Sequence, residues 1–431
     1  MKKKANGDIS FGGKVILFFR EVKEKIKGLK LISRIKKRQM ELAGYEGEYS
    51  PESAKLSYTF GILKIVSIVL LCIVLCLTLV FGGGIISYEN VYYMVKDIQY
   101  INSFGESRAE QLNYTKPIAR QDFEIFKNGL AVASDSEIKL FTSTGRVTMT
   151  RGSDYSNPKL CASGSSLLVY DQGNRSFAVY NSFTELYRQK LDYPISCADM
   201  ADTGVYALVT RSEKYASTVR VYTNRNTLDM EYSKNDYVIS ASLSDDGGQL
   251  SVLSMSASGG QSQVELTVLD VKRGEVSAAI KLSDVMPYFC EFISGNRIAA
   301  FFADHVAVYD LKLSMISRYD YPSLPVKVST GDSGFVLCLA DGGIASGNLV
   351  VAFDTNGRVA YTGNVTGDVR DAQLRGGYTY VLTDDAVHRI DVRFGSITKV
   401  GFKSENARLA VFDGGVVAVC TSASAHYISF D

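Results

Sequence analysis

Val-Ala-Val-Tyr-Asp, from Val306 to Asp310, is one copy of a short motif that recurs along most of the chain. Each copy is an alternating strand that ends in a large apolar residue, usually followed by Asp or Asn. The copies end at Phe141, Tyr180, Tyr222, Leu269, Tyr309, Phe353, Ile390 and Phe430. Successive copies lie 37 to 47 residues apart. A period of about 40 residues that holds several short strands is typical of β-propeller blades.

A second motif precedes the first by about a dozen residues and consists of a small turn residue followed by an apolar strand. Clear copies begin at Gly129, Gly204, Gly334, Gly377 and Gly415. Each unit therefore contains strand, tight turn, strand, polar loop, strand, turn and strand. The sequence predicts an all-β fold, an eight-bladed β-propeller that occupies residues 109–431.

The last unit reaches only its third strand when the chain ends. The segment Ala109 to Ile118, AEQLNYTKPI, resembles Arg188 to Ile195, RQKLDYPI, which is a fourth strand leading into the next blade. We therefore expect Ala109 to Tyr114 to complete the last blade. Closing the ring in this way removes the open sheet edges of a linear array.

A long apolar run precedes the propeller. Ile65 to Ile86, IVSIVLLCIVLCLTLVFGGGII, contains no charged residue. At about 1.5 Å per residue, a helix of this length crosses the roughly 30 Å hydrocarbon core of a bilayer. A buried core helix is the alternative, but such helices seldom run so long without a polar face. The run predicts one transmembrane helix within residues 61–87, an uncleaved signal anchor, followed by a stalk over residues 88–108.

Charge is distributed unevenly about this run. Residues 1–64 hold 15 Lys and Arg against 7 Asp and Glu, whereas the rest of the chain holds 32 against 39. Because basic flanks stay on the cytoplasmic side, we expect residues 1–60 inside and the propeller outside a single-pass cell-membrane anchor. Apolar residues at helical spacing from Phe19 to Ile32 alternate with lysines. They predict an amphipathic helix on the inner leaflet of the lipid bilayer, a cytoplasmic partner helix, or lysines that only set topology.

Little in the sequence indicates catalysis. The total of 47 basic and 46 acidic residues gives no reason to expect a nucleic-acid partner. Three scattered histidines predict no metal site, and we expect no cofactor. Five cysteines follow the apolar run, without a CxxC motif, and each lies in a strand pattern; buried free thiols are favoured, with one disulfide left open. Gly331 to Gly334 reads GDSG, as in trypsin-like proteases, but its place in a blade favours a tight hairpin.

One constellation is a candidate binding site. Aspartates open the loop between the second and third strands in five units: Asp135, Asp171, Asp304, Asp341 and Asp384. In a propeller these loops share one face, so the carboxylates predict an acidic rim for a cation or a basic partner. The alternative is that each aspartate stabilises its own turn. Since a fourth strand starts on the opposite face, entry through Ala109 predicts that the acidic rim points away from the membrane.

The repeated phrases resemble known families. Ser244 to Ser254, SDDGGQLSVLS, and VAVYD are similar to WD40-like and quinoprotein-like propellers. The layout as a whole resembles single-pass, propeller-bearing envelope proteins of Gram-positive bacteria. This resemblance implies a non-enzymatic binding or scaffold module for a protein or an envelope polymer. A glycan-acting hydrolase or lyase at the propeller mouth and a transmembrane sensor are the alternatives. Quinoprotein dehydrogenase activity is not implied, because it uses tryptophans that this chain lacks.

Overall fold

The computed structural model describes residues 64, 67, 68, 71, 111–114 and 121–430, apart from 128, 143–144, 259–260, 332, 341–346, 404–405 and 413. The chain divides into two compact units, residues 1–94 and 95–431. The predicted transmembrane helix, amphipathic segment and stalk lie outside the described residues, apart from four helical positions between residues 64 and 71. Among the described residues, no helix is long and apolar enough to cross a membrane.

The second unit contains eight four-stranded antiparallel sheets within its described part, and each sheet is one blade. Blade 1 comprises β2 (Gln121–Phe126), β3 (Gly129–Ser134), β4 (Glu137–Phe141) and β5 (Val147–Gly152). Blade 2 comprises β6 (Pro158–Ala162), β7 (Leu167–Asp171), β8 (Ser176–Tyr180) and β9 (Glu185–Lys190). Blade 3 comprises β10 (Ile195–Met200), β11 (Tyr206–Thr210), β12 (Ser217–Tyr222) and β13 (Leu228–Lys234). Blade 4 comprises β14 (Tyr237–Leu243), β15 (Gln249–Ser258), β16 (Gln261–Asp270) and β17 (Glu275–Ser283).

The remaining four blades repeat this order. Blade 5 comprises β18 (Pro287–Ser294), β19 (Arg297–Phe302), β20 (His305–Asp310) and β21 (Met315–Asp320). Blade 6 comprises β22 (Pro325–Gly331), β23 (Gly334–Ala340), β24 (Gly347–Phe353) and β25 (Val359–Thr366). Blade 7 comprises β26 (Val369–Arg375), β27 (Tyr378–Thr383), β28 (Ala386–Asp391) and β29 (Ile397–Gly401). Blade 8 comprises β30 (Arg408–Val411), β31 (Val416–Cys420), β32 (Ser424–Ser429) and β1 (Gln111–Asn113). The predicted eight-bladed propeller is confirmed.

The strands of a blade differ in burial according to their place in the ring. First strands of neighbouring blades contact one another, for example β14 with β18 and β22 with β26, so they surround the central channel. The second strand β7 is buried at every residue, and its sequence is correspondingly apolar. The outer strand β9 alternates half-buried and exposed residues, as expected for a sheet edge with one face in solvent.

The hydrophobic core is divided among the eight interfaces between blades. Each apolar cluster joins two neighbouring blades, and together the clusters go round the ring. Between blades 5 and 6, Phe301 meets Phe335 edge to face at 5.3 Å, and Phe335 stacks on Phe353 at 4.5 Å. Burying each such ring stabilises the fold by about 1.5–3 kcal/mol. Stability therefore depends on adjacent blades rather than on single ones.

The ring closes through its first strand, as the sequence predicts. Strand β1 pairs antiparallel with β32, with Gln111 opposite His426 and Asn113 opposite Ser424. Leu112 and Tyr114 are buried in the apolar cluster that joins blade 8 to blade 1. The Tyr114 ring stacks on Phe123 at 6.1 Å. The closing strand thus supplies both an edge and part of a core.

The five cysteines of the propeller are free, as favoured by the sequence. Cys290, Cys338 and Cys420 are buried. Burial raises the pKa of Cys290 and of Cys338 to about 12. A thiol that stays protonated is a poor nucleophile, so these side chains act as small apolar groups.

The two glycines that begin and end the GDSG sequence lie at the hairpin between β22 and β23. Gly331 lies opposite Gly334 in the ladder, and Gly334 has a φ of +140°. A Cβ atom on Gly331 would collide with the carbonyl oxygen of Leu374 in the next blade. Both glycines are therefore required by backbone conformation and packing, which confirms the hairpin interpretation.

Candidate functional site: the face of the 2–3 turns and the channel mouth

The turns between second and third strands and the connections between blades lie on one face, which we call the binding face. In several blades a backbone amide of the 2–3 turn donates to a carbonyl of the inter-blade connection. These bonds run from Gln172 to Asn157, from Ala303 to Met286, from Ala340 to Leu324 and from Asp384 to Asp368, at 2.9 to 3.1 Å. The two loops of a blade are thereby held together, and the side chains they carry have a fixed backbone.

Two of the predicted site residues stabilise these loops. Asp171 is only 4% exposed, and its Oδ1 accepts a hydrogen bond of 2.7 Å from the amide of Asn157. Asp384 Oδ1 accepts from the amide of Asp368 at 3.0 Å. Each carboxylate joins a 2–3 turn to the connection that begins the same blade. For Asp171, burial leaves no surface for a ligand.

The other predicted aspartates differ from these. Asp304 is 65% exposed at its side chain and accepts from Nδ1 of His305 at 2.8 Å, a bond that lowers the pKa of the carboxyl. Asp135 is exposed, and its turn is held by the Ser134 hydroxyl instead, which donates to the carbonyl of Glu137. Asp341 lies outside the described residues. No hydrogen bond joins any two of the four described aspartates; each belongs to its own blade.

A second set of carboxylates, on the first strands, was not singled out from the sequence. Each accepts a hydrogen bond from a backbone amide of the first strand of the next blade. The pairs are Asp122 with Leu160 (3.0 Å), Asp199 with Leu243 (2.7 Å) and Asp371 with Leu409 (2.8 Å). A first strand has a neighbour on one side only, so its inner amides need acceptors from elsewhere. These aspartates satisfy that need and fasten neighbouring blades together.

Ion pairs extend two of these fastenings into what we call the charged cluster: Asp122, Lys159, Lys327, Asp371 and Arg408. Arg408 lies 2.9 Å from Asp122, with Lys159 at 3.9 Å, and Lys327 lies 2.7 Å from Asp371. The cluster runs through blades 6, 7, 8, 1 and 2. Three members of the cluster, Lys327, Asp371 and Arg408, line a cavity of about 160 Å³ at the channel mouth. Other first-strand residues of blades 1, 6, 7 and 8 complete its lining. Ligand clefts usually enclose about 300–1,000 Å³, so this cavity suits a single side chain.

Two glutamates on first strands have strongly perturbed acidity. Burial raises the pKa of Glu124 to about 7, with the nearby Asp122 adding to the shift. Burial likewise raises the pKa of Glu291 to about 7, and the charges of Asp199 and Glu124 contribute. The pKa of Asp199 is also raised by burial. Carboxyl groups of blades 1 and 3 thus add to the raised pKa of Glu291 in blade 5.

Bulges distinguish one part of the binding face from the rest. In blades 3 to 7 the first strand shifts register against the second near its start, which leaves one residue unpaired. The bulge residues are Ser196, Ile239, Tyr288, Val326 and Arg370, all exposed. The same strand pairs of blades 1, 2 and 8 are regular over their described residues. A β-bulge re-aims a side chain, and here the re-aimed side chains are exposed to solvent.

Blades 4, 5 and 6 carry large apolar residues at the bulge and two residues before it. We call these six side chains the apolar arc: Tyr237 (57% exposed), Ile239 (38%), Met286 (55%), Tyr288 (47%), Leu324 (73%) and Val326 (49%). The equivalent pairs are Pro194 and Ser196 in blade 3, and Asp368 and Arg370 in blade 7. Sequence reasoning missed the arc. Its only signal is an apolar residue on each side of Val238, Pro287 or Pro325, a pattern that alternation alone assigns to a half-buried strand.

This arrangement defines the class of protein as an eight-bladed β-propeller, and the likeness to one solved structure, BamB, agrees. BamB from Moraxella catarrhalis is similar, with 12% identity and a TM-score of 0.52, over 75% of this chain and 99% of that one. The WD40 domain of Pan2 from Neurospora crassa matches at 12% identity and a TM-score of 0.44, over 64% and 89%. Raptor from Chaetomium thermophilum matches at 11% and 0.46, over 70% and 29%. The likeness to BamB shows the fold alone.

Residues 106–425 match the model of a family of unknown function, DUF5711. Because the match covers most of the chain, the protein belongs to that family. No curated protein matches the sequence. The predicted resemblance to propeller proteins is confirmed at the level of the fold by the likeness to BamB.

Proposed function

We propose that this protein is a membrane-anchored, extracytoplasmic propeller that acts as a non-enzymatic binding or scaffold module for a protein or an envelope polymer. The anchor and its orientation rest on the uncharged run Ile65 to Ile86 and on the basic residues before it. The binding role rests on the propeller, a fold that presents one broad face of loops on a rigid ring.

The observation that carries the binding role is the asymmetry of the binding face. The blades repeat the same four strands, yet within the described part of the propeller the first strand bulges against the second only in blades 3 to 7. Of these, only blades 4 to 6 expose a large apolar pair at the bulge. If the packing of the ring required these features, every blade would have them. Contiguous exposed apolar side chains on a soluble domain are typical of interaction surfaces.

The direction of strand β1 supports an orientation. As a fourth strand it runs from the side of the 3–4 turns toward the binding face, since it is antiparallel to β32. The chain therefore enters the propeller from the side of the 3–4 turns. We propose that the bilayer lies on that side, so that the binding face is available to partners in the envelope.

Photo-crosslinking in intact cells tests this function. A benzophenone amino acid would replace Arg370 or Asp135 on the binding face, and Val359 or Phe394 on the side of the 3–4 turns. All four positions are exposed. We expect discrete adducts from the first pair, sensitive to protease if the partner is a protein or to glycan-degrading enzymes if it is a polymer. Adducts from the second pair alone would contradict the proposal.

Orientation is tested separately with protease on spheroplasts. Digestion should remove residues 109–431 and leave the N-terminal segment intact. A protected propeller with a digested N-terminal segment would reverse the proposed topology.

A glycan-acting hydrolase or lyase is the second candidate, favoured by the raised pKa values of Glu124 and Glu291. A carboxyl group that stays protonated near pH 7 beside an ionised one is the pairing used in glycoside cleavage. The test is turnover of purified envelope glycan by the full-length protein. Activity that disappears in both Glu124→Gln and Glu291→Gln would establish this candidate over the first.

A further inference from the structure

We propose that the apolar arc docks a segment of a partner polypeptide that carries apolar side chains flanked by Lys or Arg. This inference rests on the proposed binding function and specifies its partner. The arc consists of six exposed side chains on three consecutive blades, without a formal charge among them. Four of the six have no hydrogen-bonding group, which favours apolar side chains over a glycan as the contact.

The arc is fixed before any partner arrives. The carbonyl of Met286 accepts from Ala303 at 3.0 Å, and the carbonyl of Leu324 accepts from Ala340 at 3.1 Å. In blade 4, Tyr237 is paired with Met255 in the longer sheet. Binding therefore requires little ordering of the backbone, which leaves more of the apolar contact free energy for affinity.

Charges around the arc favour a basic partner. The inter-blade connections and 2–3 turns of blades 4 to 6 contribute Asp236, Asp284, Asp304 and Asp320. The cations beside them are paired with carboxylates. Lys234 is 10% exposed and lies 2.7 Å from Glu265 and 3.5 Å from Asp236, and Lys281 is opposite Glu265 in the sheet. Arg318 lies 2.7 Å from Asp320, and Lys327 lies 2.7 Å from Asp371. At the blade 3 end, Arg211 lies over the Tyr237 ring at 5.8 Å, next to Glu213 and Lys214. Asp284 and Asp304 are not matched by a Lys or Arg in this way, so the blade 5 part of the rim is acidic.

The same charges argue against two other occupants. A second copy docked arc to arc would bring two acidic rims together, and like charges facing each other oppose association. An anionic bilayer would be repelled by the same carboxylates. A basic, apolar polypeptide segment is the occupant that both the apolar contacts and the charges favour.

Defined peptides test the inference on the full-length protein in nanodiscs of zwitterionic lipid. One labelled peptide alternates Leu and Lys, and a second alternates Leu and Glu. The arc variant combines Ile239→Ser, Tyr288→Ser and Val326→Ser. Its matched control combines Val276→Ser, Met315→Ser and Val359→Ser, positions that are 48%, 58% and 49% exposed on outer strands. Binding is measured by fluorescence anisotropy, with empty nanodiscs subtracted.

We expect the Leu-Lys peptide to bind the wild type and the control with equal Kd, and the arc variant at least tenfold more weakly. The Leu-Glu peptide should bind the wild type at least tenfold more weakly than the Leu-Lys peptide. A second variant, Asp284→Lys with Asp304→Lys, keeps the arc and should reverse the preference between the peptides. Because it leaves every apolar residue in place, it tests the partner's charge even if the serine variant unfolds.

Equal Kd values for the arc variant and its control would overturn the inference, as would equal affinity for the two peptides. Self-association of the wild type that is lost in the arc variant would assign the arc to a second copy. Binding to phosphatidylglycerol vesicles that is lost in the arc variant would assign it to the bilayer. In each of these cases, persistent crosslinks from Arg370 and Asp135 would leave the proposed binding function in place, and their absence would remove it as well.

Discussion

Two parts of the binding face use the same strand positions in opposite ways. Around blades 6 to 8, 1 and 2, the starts of the first strands carry the charged cluster, whose members are paired with one another and with backbone amides of the next blade. Around blades 4 to 6, the bulge and the residue two positions before it expose the apolar arc, and blade 6 contributes to both sets. One part joins blades together, whereas the other offers side chains to solvent.

Part of the difference follows from where the ring closes. Blade 8 takes its outer strand from the start of the domain, so its interface with blade 1 joins distant parts of the chain, whereas its interface with blade 7 is local in sequence. Paired carboxylates there connect five blades through side chains as well as apolar packing. Blades 4 to 6 are continuous in sequence. The apolar clusters that join blades 4, 5 and 6 contain none of the six arc residues, so the arc is available for binding.

The largest effect should follow from removing the closing strand. Deletion of residues 109–116 takes Leu112 and Tyr114 out of the cluster between blades 8 and 1 and exposes the edge of β32. We expect a loss of at least about 4 kcal/mol in the free energy of unfolding, from two large buried side chains. Chemical denaturation of the full-length protein measures it. Deletion of residues 88–105 is the control, and equal midpoints for the two deletions would refute closure by β1.

The next effect concerns the charged cluster itself. Asp371→Ala removes the acceptor of the Leu409 amide and leaves Lys327 without its partner at 2.7 Å. Since Asp371 is 4% exposed, we expect a loss of about 2–4 kcal/mol in the free energy of unfolding. Asp368→Ala is the matched control, because its carboxylate is 72% exposed and its ion pair spans 3.8 Å. A loss for Asp371→Ala no larger than the control's would mean that the cluster does not fasten the blades.

Much of this architecture is predictable from sequence, for a physical reason. Second and third strands are buried on both faces, so their apolar runs and the residues that follow them repeat in all eight units. Closure was predictable as well, because Ala109 to Tyr114 keeps the pattern of other fourth strands. Features that recur in every blade can therefore be predicted from a single sequence.

The site was less predictable, because it depends on what does not repeat. Asp171 and Asp304 occupy equivalent loops, yet one is buried against an amide and the other is exposed. Their surroundings, and not their spacing, decide the difference. The outward direction of Tyr288 depends on a bulge of one residue, which reverses the side to which a strand residue points. The two-residue alternation of apolar and polar residues along a strand does not reveal a one-residue bulge.

The channel glutamates give a pH effect of intermediate size. Their folded pKa is about 7, above the ordinary value of 4.5, so their contribution to stability is fully present below pH 4.5 and is lost as the pH rises to about 7. Glu291→Gln should therefore be more stable than the wild type by roughly 1–3 kcal/mol at pH 8 and equal to it at pH 4. Thermal unfolding across this range is the measurement.

Glu185→Gln provides the opposite control. A hydrogen bond from Arg188 lowers the pKa of Glu185, so its stabilisation is present near neutral pH and is lost as the pH falls. The variant should be less stable than the wild type at pH 7, and the difference should shrink in acid. A pH-independent difference for Glu291→Gln would show that its carboxyl ionises normally in the channel.

The apolar arc should contribute little to stability, in contrast to the charged cluster. Tyr288→Ser and Val326→Ser each remove a side chain that is about half exposed, at 47% and 49%. We expect each to change the free energy of unfolding by less than about 1 kcal/mol, within the usual range for surface positions. Chemical denaturation beside Asp371→Ala makes the comparison. Losses as large as that of Asp371→Ala would identify the arc as a structural element instead of a surface kept for a partner.

The smallest effect concerns which part of the propeller lies nearer the bilayer. A single labelled cysteine at Val359, on the side of the 3–4 turns, is compared with one at Asp304 on the binding face; both positions are exposed. Val359 is preferred to Gly357 in the adjacent turn, because Gly357 has a φ of +71° and a Cβ there would collide with the Ser317 side chain. Buried native thiols such as Cys290, with a pKa of about 12, should react slowly with the label. Quenching by a headgroup probe should be about twofold stronger at Val359, because contact quenching falls steeply with distance and the proposed orientation holds Asp304 across the ring. Stronger quenching at Asp304 would place the binding face, and the arc with it, against the membrane.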